Sequence, residues 1–289
     1  MPYFRVILAL CASVAIISSA SILIKLADAP VLIIAAYRLG IAALVLAPLT
    51  LTLRRQHLKA LSRRDWLVAA VAGSFLGLHF IAWIASLEYT SVASSVVLVT
   101  INPIFVGLGM VIIFRERLHP LLVWGIALSV TGGILIGYSD FQVEGQALFG
   151  DALALLGAVF HSGYLLLGQR LRRRLDLLPY ITVVYGMAAL LVLAAAVVTQ
   201  ESFTGYAPAT YLSMVLLALG PQLLGHTAYN WTLRYVSAAV VAVAILGEPV
   251  GASILAYFIL DEHLTLLQAA GGGLVLLGIY LALRTQRRA

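Results

Sequence analysis

Four polar residues between positions 222 and 230 have the spacing of one helical face. Gln222, His226, Tyr229 and Asn230 stand at i, i+4, i+7 and i+8, so in an α-helix their side chains lie along a single stripe. Amide, imidazole and phenol groups donate and accept hydrogen bonds, which suits them to bind a polar solute. Hydrogen bonding between helices is the alternative interpretation, but four such groups on one stripe favour a binding surface.

Two further pairs of residues share this chemistry. His79 and Trp83 stand at i and i+4, and His161 and Tyr164 at i and i+3, so each pair lies on one helical stripe. The imidazoles supply hydrogen bonds, and the indole and phenol rings supply flat stacking surfaces. We expect both pairs to contribute to substrate binding, with simple packing as the alternative role for each histidine.

Two prolines interrupt apolar segments directly after a polar residue, at Asn102-Pro103 and Glu248-Pro249. Proline frees a backbone carbonyl about one turn earlier, and in lipid the freed groups need a partner. We expect Asn102 to be structural, whereas Glu248 is either structural or a proton carrier or partner for a substrate ammonium. Arg38 is a candidate ligand for a substrate carboxylate, with snorkelling or an acidic partner as alternatives. These five residues are candidates for coupling or gating.

The composition is that of an all-α integral membrane protein. Hydrophobic residues make up 62% and charged residues 10% of the chain, and the mean hydropathy is +1.04, so the lipid bilayer is a partner. The net charge of +6 comes from clusters between apolar runs, which indicates cytoplasmic loops and no nucleic-acid partner. Cys11 is the only cysteine, so no thiolate metal cage or disulfide is expected.

Ten apolar segments are long enough to cross a bilayer, which takes about 20 helical residues. The basic clusters fall on one side of this topology, which predicts that both termini are cytoplasmic. The predicted segments are Val6–Leu26, Pro30–Leu53, Trp66–Leu87, Ser91–Phe114, Leu121–Tyr138, Leu148–Gln169, Pro179–Thr199, Ala209–Leu233, Ser237–Leu260 and Leu264–Leu283.

An internal repeat divides these segments into two sets of five. Leu87–Leu118 aligns without a gap with Leu233–Leu264. The flanking charges are exchanged at Glu88/Arg234 and Arg115/Asp261. Identical pairs include Tyr89/Tyr235, Pro103/Pro249, Gly125/Gly271 and Gly132/Gly278. Because cytoplasmic loops are basic, exchanged charges predict two halves, residues 1–140 and 141–289, that cross the membrane in opposite senses.

The residues around the second proline carry a family resemblance. Glu248-Pro249-Val250 precedes an apolar helix that ends in Asp261-Glu262-His263-Leu264-Thr265, and Arg115-Glu116-Arg117-Leu118 is its first-half counterpart. This combination resembles the drug/metabolite transporter superfamily, in particular the ten-helix EamA-type exporters built from two inverted five-helix repeats. Within that family the chain is most similar to the YddG-type exporters of aromatic amino acids. The first-half position opposite Glu248 is Asn102, a departure from symmetry that bears on any shared ion coupling.

The resemblance implies a secondary transporter of a bacterial inner membrane that exports small metabolites through a central cavity by alternating access. Amino acids, aromatic or otherwise neutral, are the expected substrates; other metabolites, cationic drugs or a metal ion held by the membrane histidines are alternatives. An intramembrane enzyme is disfavoured, because neither H-E-x-x-H nor G-x-S-x-G occurs. No cofactor and no metal are expected, and the oligomeric state, a monomer included, stays open.

Overall fold

The computed structural model describes residues 3–138, 145–260 and 265–285. Within these ranges the chain forms ten apolar helices, of which nine are long enough to cross a membrane and α5 is shorter. The first five are α1 (Tyr3–Ile17 and Ala20–Leu26), α2 (Val31–Leu53), α3 (Arg63–Tyr89), α4 (Val92–Thr100 and Asn102–Ile112) and α5 (Pro120–Gly137). The others are α6 (Gln146–Arg172), α7 (Leu177–Val198), α8 (Pro208–Thr232), α9 (Ala238–Ile245 and Glu248–Leu260) and α10 (Leu266–Arg284).

The multi-helix membrane architecture predicted from hydropathy is confirmed. Each predicted segment overlaps one of the ten helices, and the outer surface carries large apolar side chains such as Leu44, Val198 and Leu266, which are 75, 81 and 92% exposed. Exposed apolar surface on this scale suits contact with lipid. The helix-end motif Asp261-Glu262-His263-Leu264 and the predicted boundary at residues 140 and 141 lie outside the described residues.

Four helices, α1, α4, α8 and α9, are interrupted where the polar residues lie, and the break in α1 falls between Ile17 and Ala20. Helix α4 stops at Thr100 and resumes at Asn102, and α9 stops at Ile245 and resumes at Glu248. Both breaks directly precede a proline, which lacks the N–H that would continue the hydrogen-bond ladder. Helix α8 contains a nine-residue π-helical segment, Ala218–His226, around Pro221, and such wide turns are frequent at functional sites.

Helices α5 and α10 pack with their backbones in close contact through glycines. A Cβ atom built on Gly125 would lie 2.8 Å from the carbonyl oxygen of Gly278, and one on Gly132 would lie 2.5 Å from that of Gly271. No side chain fits in such a gap, so glycine is required for this approach, as at many membrane helix interfaces.

These contacts follow the internal repeat. Equivalent residues of the two repeats are 146 positions apart, as Leu87 and Leu233 are (233 − 87). By this offset Gly125 is equivalent to Gly271 and Gly132 to Gly278, so the Gly125–Gly278 contact is equivalent to the Gly132–Gly271 contact. The hydroxyl of Ser129 donates to the carbonyl of Val275 at 3.3 Å, and these residues are also 146 positions apart. A pair that maps onto itself lies on a two-fold axis, so the α5–α10 interface has the pseudo-symmetry that the inverted repeat predicts.

Candidate functional site

One cavity lies where the broken helices α4 and α9 meet α1, α2, α3, α6 and α8. In this conformation the free volume of the cavity is about 20 Å³, which is room for about one water molecule. Its polar lining side chains are buried, with exposed fractions of 7% or less. The lining residues are Ile17, Ala20, Arg38, His79, Trp83, Val99, Thr100, His161, His226, Tyr229, Ile245 and Glu248.

Arg38 of α2 is fully buried, and two neighbours hold its guanidinium. Its Nε donates to Oε1 of Gln222 at 3.0 Å. Its guanidinium carbon lies 3.9 Å from the ring centre of Phe80, a cation–π distance. Neither neighbour carries a charge, and Nη1 has no hydrogen-bond partner among the described residues. The guanidinium is therefore held in position without an ion pair among the described residues, although the carboxyl group of Glu248 in the same cavity is close enough to attract it.

Glu248 lies in the same cavity, at the start of the second part of α9. Its backbone carbonyl accepts from the hydroxyl of Ser18 at 3.3 Å. Among the described residues, neither Glu248 nor Arg38 takes part in an ion pair. Burying an unpaired charge is costly, so both groups are available to a solute that carries the opposite charges.

A chain of hydrogen bonds joins α4, α6 and α8 at the cavity wall. The amide nitrogen of Asn102 donates to Nδ1 of His161 at 3.0 Å. Because Nδ1 accepts, Nε2 carries the proton in the neutral ring and donates to the Tyr229 hydroxyl at 3.3 Å. That hydroxyl in turn donates to Nδ1 of His226. Both ring nitrogens of His161 are thus occupied, whereas His226 keeps Nε2 for a solute.

His79 and Trp83 of α3 form a stacked wall with His161. The ring centres of His79 and His161 are 4.5 Å apart, and those of His79 and Trp83 are 6.0 Å apart. Nδ1 of His79 donates to the carbonyl of Gly157 at 3.0 Å, since a carbonyl oxygen accepts only. The indole Nε1 of Trp83 has no partner among the described residues. This wall offers flat surfaces and one free ring nitrogen on His79.

The predicted polar stripe of α8 divides between the cavity and the packing behind it. His226 and Tyr229 line the cavity, whereas Asn230 donates to the hydroxyl groups of Tyr164 and Tyr185. Gln222 is also fully buried and contacts Arg38. Tyr164, Gln222 and Asn230 thus lie behind the cavity wall, as does Asn102.

Phe80, Val99 and Ile245 were not among the residues selected from the sequence. Val99 and Ile245 each lie four positions before the proline of their helix, and they are 146 positions apart. Proline frees the carbonyl four positions before it. The position of the proline in each helix and the offset of the repeat are therefore the signals from which Val99 and Ile245 could be identified. Phe80 has no such signal, because its contact with Arg38 depends on the packing of α3 against α2.

Three ion pairs and one His–Asp contact join the ends of several helices on one face of the protein. We call this face the basic face. The hydroxyl of Tyr3 donates to the carbonyl of Leu283, so α1 begins and α10 ends on it. The contacts there are Arg174–Asp65, Arg173–Glu116 at 3.7 Å, His57–Asp176 at 3.3 Å and Arg234–Asp176 at 3.8 Å. The first three connect residues before position 120 with the turn between α6 and α7, across the two repeats.

Known proteins share this architecture. A crystal structure with a TM-score of 0.79 covers 97% of both chains at 18% sequence identity, which supports the fold alone. The chain is 27% identical over 281 residues to the uncharacterized transporter YetK of Bacillus subtilis, covering 94% of this chain and 84% of YetK. An uncharacterized transporter of Archaeoglobus fulgidus is 22% identical over 233 residues, covering 78% of this chain and 79% of that protein.

The EamA-like transporter family matches twice, at residues 4–138 and 148–284. The two matches together span nearly all of both repeats, and both relatives described above are named as transporters. The protein is therefore a multi-pass membrane transporter and not an enzyme, and it belongs to the EamA-like transporter family.

Proposed function

We propose that this protein exports small zwitterionic metabolites, above all neutral amino acids, from the cytoplasm. One observation carries the proposal: Arg38 and Glu248 are buried in the same cavity without an ion-pair partner among the described residues. An α-amino acid carries a carboxylate and an ammonium, so it compensates both charges when it binds. A solute with only one of these groups leaves one protein charge buried and unpaired, which is costly.

The aromatic wall favours an apolar or aromatic side chain on the substrate. Trp83, Tyr229 and the stacked imidazoles of His79 and His161 offer ring faces beside the two charges. Ring faces bind apolar and aromatic groups through burial and stacking. Aromatic and other large neutral amino acids are therefore the preferred substrates, in keeping with the YddG-type exporters.

We infer that transport follows alternating access, with the basic face in the cytoplasm of a bacterial inner membrane. Between the end of α2 and the first turn of α3 alone, the basic face carries Arg54, Arg55, Lys59, Arg63 and Arg64, as the positive-inside rule requires. The ion pairs between the two repeats hold this side together, so they must separate when the cavity opens to the cytoplasm. The breaks in α4 and α9 lie at the cavity and are suited to act as hinges.

Reconstitution in liposomes tests the proposal. Vesicles loaded with radiolabelled phenylalanine should exchange it for external phenylalanine or leucine with saturable kinetics, whereas vesicles without protein should not. Two analogues sharpen the result, because phenethylamine lacks the carboxylate and 3-phenylpropionate lacks the ammonium. Neither should compete at concentrations at which leucine does. The proposal would be refuted if neither phenylalanine nor leucine were exchanged, or if both analogues competed as well as leucine does.

A metal ion is the second candidate cargo, since three histidines and Glu248 line one cavity. Among the described residues, however, no three His, Cys, Asp or Glu side chains lie close enough together to hold a metal ion. His161 would have to give up its bonds to Asn102 or Tyr229 to bind a metal, which makes this alternative less favourable. Zinc or nickel binding to purified protein, measured by calorimetry with and without phenylalanine, separates the two cargoes. Under the amino-acid proposal the metal does not compete with phenylalanine.

A further inference from the structure

We propose that Gln222 is a positioning residue that makes the cavity selective for solutes with a carboxylate. It does so by holding Arg38 in place without neutralising it. The inference rests on the proposed function, since it concerns how the same cavity distinguishes amino acids from amines. Gln222 does not line the cavity, so it acts through Arg38 and not by touching the solute.

The contact between Gln222 and Arg38 is directional. Oε1 of Gln222 accepts from Nε at 3.0 Å, and Phe80 covers one face of the guanidinium at 3.9 Å. With Nε occupied and one face covered, the terminal nitrogens are left for the ligand, and Nη1 has no described partner. A guanidinium held by one edge is preorganised to bind a carboxylate with its remaining donors.

The neutrality of the amide matters as much as its position. Gln222 and Arg38 are both fully buried, and a charged partner at this distance in so dry a site would form a strong ion pair. The Q222E substitution keeps the length and the acceptor oxygen but adds that charge. Arg38 would then be compensated from within the protein, and Glu248 would remain as the uncompensated charge of the cavity. The cavity would match a monovalent cation instead of a zwitterion.

The test compares phenylalanine with phenethylamine, which differ only in the carboxylate. Binding to purified protein is measured by isothermal titration calorimetry, because a neutral amine leaks through bilayers and obscures flux. Wild-type protein should bind phenylalanine at least about tenfold more tightly than phenethylamine. Tenfold in Kd corresponds to the lower end of the range for losing one charge-assisted hydrogen bond. In Q222E the order should reverse, so that phenethylamine binds at least about tenfold more tightly than phenylalanine.

Gln169 provides the matched control. It is a buried glutamine whose Oε1 accepts from the backbone N–H of Ala238 at 2.5 Å. It stands eight positions after His161 in α6 (169 − 161) and does not line the cavity. The Q169E variant keeps that acceptor at the start of α9, where a negative charge is favourable. It should retain the wild-type preference for phenylalanine.

A second variant covers the case in which Q222E does not fold. Q222M removes the acceptor without adding charge, so Arg38 is less well positioned but still uncompensated. It should weaken phenylalanine binding about tenfold and still prefer phenylalanine to phenethylamine. Folded Q222E that keeps the wild-type preference, or Q222M with unchanged phenylalanine affinity, overturns the inference. Wild-type protein that neither binds nor transports any neutral amino acid overturns the proposed function instead.

Discussion

The glycine contact between α10 and α5 makes a stability prediction that a matched pair of variants tests. Gly271 and Gly273 stand two positions apart in α10, and an alanine methyl would meet different surroundings at each. At Gly271 it would lie 2.6 Å from the carbonyl oxygen of Gly132 and 3.1 Å from the backbone nitrogen of Ile136, whereas at Gly273 no atom lies within 4 Å. We expect Gly271→Ala to destabilise the protein and Gly273→Ala to be neutral or stabilising.

The magnitude follows from the missing space. An ordinary contact needs 3.4 Å, so at Gly271 the helices must separate by roughly 0.8 Å (3.4 − 2.6). The new methyl group would overlap with backbone atoms, which no side-chain rotation can move away. Overpacking of this kind costs about 1–3 kcal/mol. Replacing helical glycine by alanine gains about 0.5–1 kcal/mol at either position. That gain is common to both variants, so the overpacking cost separates them.

Thermal unfolding of the two purified variants in one detergent measures this difference. The midpoints should differ by roughly 3–10 °C, with Gly271→Ala below the wild-type protein and Gly273→Ala at or above it. Equal midpoints for the two variants would show that α5 and α10 do not pack as closely as described. A destabilised Gly273→Ala would show that its open side is occupied in the membrane protein.

Three further variants test the cavity and the basic face. Glu248→Gln should lower phenylalanine exchange at least about tenfold at normal expression, because the ammonium loses its charged partner; unchanged exchange across pH 5–8 would contradict this. Arg38→Gln should abolish the preference for phenylalanine over phenethylamine in a binding assay, and retention of that preference would rule out the carboxylate role. Arg174→Ala breaks the pair with Asp65, an interaction worth about 0.3–1 kcal/mol. With the exposed Cys11 replaced by serine, Arg174→Ala should raise the reactivity of a cysteine placed at Val99 toward a thiol reagent on the basic face about two- to fivefold. The exposed Arg170→Ala is the control, and equal reactivity of the two variants would exclude a closing role for the pair.

Most of the scaffold could be predicted from the sequence because its signals are local or repetitive. Twenty apolar residues in a helix span a bilayer whatever surrounds them, so the spans needed no tertiary information. The repeat offset went further, since it paired Gly125 with Gly271 and Gly132 with Gly278 before any contact was known. An interface on a pseudo-two-fold axis must contain such pairs, and the α5–α10 interface does.

The partners of the polar residues could not be predicted in the same way. Regular helical spacing puts Gln222 and Asn230 on the stripe of His226 and Tyr229, but α8 has a π-helical segment through Ala218–His226 that alters the register. Whether a buried amide then contacts a solute or a neighbour depends on which side chains the adjacent helices bring close. Gln222 meets Arg38 of α2, and no pattern in the sequence connects these two positions.

The cavity combines a symmetric wall with asymmetric charge. Val99 and Ile245, and likewise Trp83 and Tyr229, are equivalent positions of the two repeats, and all four line it. An apolar wall of this kind is nearly the same from both sides, which suits the alternating access proposed above. The pair Asn102 and Glu248 breaks the symmetry, because the amide is bound to His161 while the carboxylate faces the cavity. A solute with two unlike ends therefore has one preferred orientation, and it keeps that orientation whichever side of the membrane is open.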